Sequence, residues 1–161
     1  MRISFKTWKT IEVDYNKCLP DYYADLKKSS IIMDCLDSEV LDNILKKTNI
    51  IIASVNLVKI NIYELKKYGT SLFNTNEEIL AHFYNLGLHK CDFQTALQLS
   101  ILFKQKRDKI MLKIITDPIL IKTKKFQFVR FKINAKQYLS LVDNNNLTYN
   151  FFVPSCWIFT K

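Results

Sequence analysis

The order of apolar and polar positions marks out a series of short elements. In "ISFKTWKTIEV" Ile3, Phe5, Thr7 and Lys9 share one face of an extended segment, which predicts a strand that Pro20 breaks. In "LDSEVLDNILKK" Leu36, Val40, Leu41, Ile44 and Leu45 lie at helical spacing, with Asp37 or Ser38 as a cap and lysines in the last turn. The run "TNIIIASVNLVKINIYELKKYG" fits two periods: its β-branched residues favour a strand, while Ile51, Val55, Val58 and Ile62 recur at helical intervals. After Gly69 and an extended "TSLFN", Thr75 and Glu78 form a capping box, in which each side chain satisfies an orphan amide of the first helical turn. Ile79, Leu80, Phe83, Tyr84 and Leu86 continue it as an apolar stripe. Gly87 supplies the left-handed residue that ends a helix over 75–86.

The last third reads as extended. Leu97, Leu99, Ile101 and Phe103 alternate with Gln98, Ser100 and Leu102, predicting a strand. The block KQKRDK turns it, and residues 110–116 pair back as a hairpin ending at Asp117-Pro118. Residues 119–133 add an extended segment with Gln127, Val129, Phe131 and Ile133 on one face and Phe126, Phe128, Arg130 and Lys132 on the other. "NAKQYLSLV" reads as one or two helical turns capped by Asn134, and "LTYNFFVPSCWIF" as closing strands interrupted at Pro154. The expected architecture is α+β in two small lobes: residues 48–95 as an N-terminal helix-and-strand lobe, and 96–161 as a basic, antiparallel β-rich lobe.

Composition adds a partner. The chain has 161 residues, 48% of them apolar, which is enough for a packed core, and a net charge of +9. Residues 1–95 hold 12 Lys and Arg against 12 Asp and Glu. Residues 96–137 hold 11 basic side chains against Asp108 and Asp117, so this segment carries the whole surplus. Such a concentration suits an anionic partner, nucleic acid or a membrane surface; a solvated strand surface is the bland alternative. The longest run low in charge, Thr48 to Val58, is well short of the ~20 residues that cross a bilayer, so a soluble chain is expected. "MRISFKTWKTIEV" has neither the apolar core of a signal peptide nor the arginines of a transit peptide.

Catalytic and metal chemistry find little support. Cys18, Cys35, Cys91 and Cys156 form no CxxC pair and are expected to be free thiols. His89, Cys91 and His82 are the clustered soft ligands, but structural zinc takes four ligands in recognisable pairs. Asp34, Asp37 and Asp42 could serve a metal nuclease, yet a helix cap and a solvated helix face already account for them. With glycine only at 69 and 87, no phosphate-cradling loop is possible. No catalytic residue, metal, cofactor or small-molecule substrate is therefore expected. Phe126 and Phe128, set among basic residues, fit either core packing or base stacking.

From about residue 48 the order of segments resembles the family of the eighth protein of the small ribosomal subunit, particularly its divergent mitochondrial members. "IIIASVNLVKIN" is similar to that family's first helix, with a basic residue near its end, and "ILAHFYNLGLHKCDF" to its second, including the position of Gly87. "LSILFKQKRDKIMLKIITDP" resembles its strand, basic turn and strand, with Thr116-Asp117 in place of Ser-Lys. "KKFQFVRFKINAKQYLSLV" resembles its "RRVY" strand and short helical turn. "FFVPSCWIFTK" can be laid on the family's Ser-Thr-Ser-Lys-Gly loop or on its last strand, and lacks the Lys-Gly of the former. Residues 1–47 have no counterpart and would be an extension.

The resemblance implies a non-enzymatic constituent of the small ribosomal subunit in the mitochondrial matrix. Its partners would be a helical element of ribosomal RNA and neighbouring subunit proteins, with no membrane. Lys59, near the end of the first helix, and Ser155, in the closing loop, carry over as RNA contacts. Charge alone adds Lys104, Lys106, Arg107, Lys109, Lys122, Lys124, Lys125 and Arg130. The competing expectation is a viral or plasmid single-stranded nucleic-acid-binding protein with a barrel-like fold, stacking bases on Phe126, Phe128 and Trp157.

Overall fold

The computed structural model describes residues 3–34, 50–61, 67–69, 76–103, 111–121, 124–133, 137–143 and 155–161, with the backbone course alone at 32–34, 76 and 118–155. Strand β1 (Lys9–Asp14) takes up only the end of the first expected strand, with Ile11 and Val13 turned inward, and Ile3, Phe5 and Thr7 precede it. Pro20 opens a helix here. In α1 (Leu19–Lys28) it occupies the first turn, where its missing N–H costs nothing. Asp21 there accepts from the Cys18 amide and thiol, and Leu19, Tyr22 and Leu26 form the buried stripe. Ser30, at φ +56, turns the chain into β2 (Ile31–Asp34). The helix expected over 36–47 lies outside the described residues.

The ambiguous run is a strand, β3 (Ile52–Asn61). Its adjacent Leu57 and Val58 are both buried, because the sheet is covered there on both faces. The helix that the family resemblance implied at this place is therefore overturned. The next helix is where it is expected: α2 (Asn76–Asn85) is followed by Gly87 at φ +88, while Thr75 of the capping box lies outside the described residues. The Gly87 amide donates to the Tyr84 carbonyl and the Leu88 amide to that of Phe83, the paired bonds of a left-handed C-terminal cap.

The expected 97–116 hairpin is replaced by a helix and an unrelated strand. Residues Phe93–Leu102 form α3, started by Asp92, whose carboxylate accepts from the Thr95 amide at 2.7 Å. Phe93, Gln94, Thr95, Ala96, Leu97, Leu99 and Ser100 are all buried. A helix buried nearly all round shows no amphipathic period, which is why its sequence reads as alternation. Strand β4 (Met111–Ile121) does not stop at Asp117-Pro118. Its register against β5 (Lys124–Ile133) shifts between Ile115 and Ile119, an irregularity that accommodates the proline. Residues expected as helical turns form β6 (Gln137–Asp143), where Leu139 and Leu141 alternate with Tyr138, Ser140 and Val142. Strand β7 (Ser155–Thr160) closes the chain.

The strands build one mixed seven-stranded sheet in the order β1-β3-β7-β4-β5-β6-β2, parallel at β7/β4 and β6/β2 and antiparallel elsewhere. The class is α+β. The sheet draws its two edge strands from the first 34 residues, and Ile11, Val13, Leu57, Leu112 and Ile158 belong to one buried cluster. On one face α1 and α3 pack over Ile11, Val13, Leu57, Leu112, Ile114 and Ile158. On the other, α2 packs over Val58, Ile60, Ile115, Trp157 and Phe159. Among the described residues no helix is long and apolar enough to cross a membrane.

Candidate nucleic-acid interface

The basic residues sort by position along the β4–β5 hairpin. Lys113, in mid-β4, is only 3% exposed, and its ammonium lies 5.8 Å from the Trp157 ring centroid, within cation–π range. Register puts Arg130 opposite Lys113, and Ser140 opposite Arg130; Lys132 and Tyr138 form the next row, beside Met111. These positions share the face on which Met111, Lys113 and Ile115 are buried. The sheet face is therefore covered along β4 and offers no open platform there.

Lys124 and Lys125 begin β5 at one end of the hairpin, opposite Ile121 and Leu120. Ten steps back along β4, at the other end, Met111 pairs with Lys132 and Ser155. Lys104, Lys106, Arg107, Lys109 and Lys122 themselves lie outside the described residues. At about 3.3 Å per residue the two ends are roughly 33 Å apart. Ser155 opens a strand, so its place in a family loop is corrected to the edge of β7.

Lys59 does not join them. It sits exposed in β3 with its ammonium 5.0 Å from the Trp8 ring centroid, opposite Ile158 and so on the α1/α3 face. Trp157 is 2% exposed beneath α2, so it is not open to stack on a base. Among the described residues β1 and β2 are the two edges of the sheet.

The remaining chemical groups are tied into the fold. Among the described residues no three His, Cys, Asp or Glu side chains gather as a metal site. His82 donates to the Tyr68 carbonyl, and burial pushes the Cys91 thiol up, the reverse of what a nucleophile needs. Cys18 and Cys91 are free thiols. Tyr15 donates to Asp92 at 2.5 Å; burial and then this carboxylate raise it from 10.0 to about 12. That bond ties the β1–α1 turn to the start of α3. Asp25 is held below the usual carboxylate range by Lys17, its hydrogen-bonded partner, with Lys28 alongside. A groove of about 540 Å³ between α2 and β4 has Leu88 and Phe159 in its floor and the 3.9 Å Lys90–Asp117 pair at its rim. No family model matches this chain, and no curated protein or solved structure matches it either.

Proposed function

We propose that this protein binds nucleic acid by contact alone, as a structural component of a nucleoprotein assembly. One observation supports the reading best: residues 96–137, with eleven basic side chains against Asp108 and Asp117, carry the whole charge surplus. Basic residues spread along a ten-residue strand, roughly 33 Å at about 3.3 Å per residue, suit a polyanion rather than a small anion, since about one turn of a double helix covers that length. Each phosphate neutralised by Lys or Arg releases counterions, which gives affinity and a steep salt dependence without a catalytic group.

The small ribosomal subunit is the assembly that the resemblance implies, on the strength of the α2 segment and its Gly87. Two measurements test the reading. Titration with a labelled structured RNA should give an affinity that falls with salt at a slope of several phosphate contacts; a salt-independent or absent interaction sinks the proposal. Sedimentation of the native protein with small subunits supports the ribosomal setting, and free protein throughout the gradient removes it.

A further inference from the structure

Independently of the nucleic-acid reading, we infer that the groove beside α2 binds a short segment of a partner protein, an apolar side chain flanked by Lys or Arg. The floor of the groove is already formed. Leu88 and Phe159 are 1% and 2% exposed, and Phe159 is fixed from behind by Phe83 and Trp157, with ring centroids at 5.1 and 6.3 Å. A rigid floor needs no ordering when a ligand arrives, which leaves more of the contact energy for affinity. Along one wall Glu77, Leu80, Ala81 and Tyr84 of α2 follow one another at helical intervals. Tyr84 is 64% exposed, yet its ring stands edge-on to that of His89 at 5.3 Å and 84°. An oriented tyrosine beside an apolar hollow is what protein interfaces favour, because it offers a large contact area at little cost in side-chain entropy.

Charge complementarity selects the occupant. Among the described residues Glu77 and Asp117 line the groove against Lys90, an acidic balance in a chain of net charge +9. The Lys90–Asp117 pair is long, at 3.9 Å, and both side chains reach solvent, so it contributes little and opens readily to an incoming cation. Such a rim repels phosphates and attracts an ammonium or guanidinium group. The length of the wall favours a chain over a small amine. From Glu77 to Tyr84 it runs roughly 10 Å at about 1.5 Å per residue, the span of about three residues of extended peptide. One apolar side chain then meets Leu88 and Phe159, while its Lys or Arg neighbours lay their stems on the apolar walls and bring their charges to the two acids.

The test is a selection of random phage-displayed peptides on the full chain, counter-selected on Ala81→Trp, which fills the groove from an exposed position. Enriched sequences should carry an aromatic or aliphatic residue with Lys or Arg on either side. The best of them, synthesised and labelled, should bind Tyr84→Ala about tenfold or more weakly than wild type, with the melting temperature almost unchanged because Tyr84 is exposed. The double reversal E77K/D117K should lose that peptide and accept its counterpart with Glu in place of each basic residue. No enrichment, enrichment of acidic or uncharged sequences, or peptides that bind Ala81→Trp as well as wild type overturn the proposal. Displacement of the peptide by free tryptamine at equal affinity overturns it in favour of a small amine. Dimerisation that Ala81→Trp abolishes makes a second copy the occupant, and loss of RNA binding in that variant places the groove in the nucleic-acid interface; either overturns it. RNA binding by the wild type is read separately, so each of the two proposals can fail alone.

Discussion

Helix α3 and strand β5 are each ten residues long and lie on either side of β4 in the chain, yet they are opposites. α3, FQTALQLSIL, carries no charge and is buried almost all round; β5, KKFQFVRFKI, carries Lys124, Lys125, Arg130 and Lys132. Between them β4 is buried from Met111 to Thr116 and pairs with β7 on one side and β5 on the other. The contrast teaches that the basic segment seen in the sequence is two things. Its first part, the end of α3, is uncharged core, and its described basic residues lie on β4 and β5. Stability and charge are thus assigned to different elements, so they should respond to different substitutions.

The largest expected effect falls on the core side. Trp157→Ala removes the ring packed against Phe159 and beneath the Lys113 ammonium, and should cost about 3–5 kcal/mol in denaturant unfolding. A loss below about 1 kcal/mol would break the contrast by showing that this half is not where the fold is held.

On the charged side, replacing Lys104, Lys106, Arg107 and Lys109 together by Gln should leave the melting temperature almost unchanged. Nucleic-acid affinity should fall by roughly tenfold or more, with a salt slope shallower by about three to four. If melting falls and affinity does not, the block belongs to the core and the division is wrong.

The Tyr15–Asp92 bond sharpens the core side. The raised value of Tyr15 means that its contribution is whole below its ordinary 10.0 and is lost as pH rises through about 12; Tyr22, raised chiefly by burial, changes in the same direction. The melting temperature should therefore drop across that alkaline window. Tyr15→Phe should cost about 1–2 kcal/mol at neutral pH and make the alkaline drop shallower. An unchanged alkaline profile in the variant would remove Tyr15 as its cause.

The smallest effect is expected at Lys59. Lys59→Ala should cost less than about 1 kcal/mol, the worth of an exposed cation–π contact, and leave nucleic-acid affinity within twofold of wild type. A large affinity loss would extend the interface to the α1/α3 face.

Local signals determined part of this protein. The capping pattern, stripe and Gly87 located α2, alternation located β1 and β5, and counting charges isolated the basic segment, because each depends on neighbours within a turn or two of chain. Tertiary structure decided the rest. α3 lost its helical period because it is covered on nearly every side; the run in β3 was settled by pairing with β1 and β7; Pro20 and Pro118 proved to be accommodated rather than terminating. Lys113 could not be told from its surface neighbours until the strands on either side buried it. Nor could the sequence show which basic residues stand at the ends of the hairpin. Register is fixed by contacts between residues far apart in the chain, and no local pattern records them.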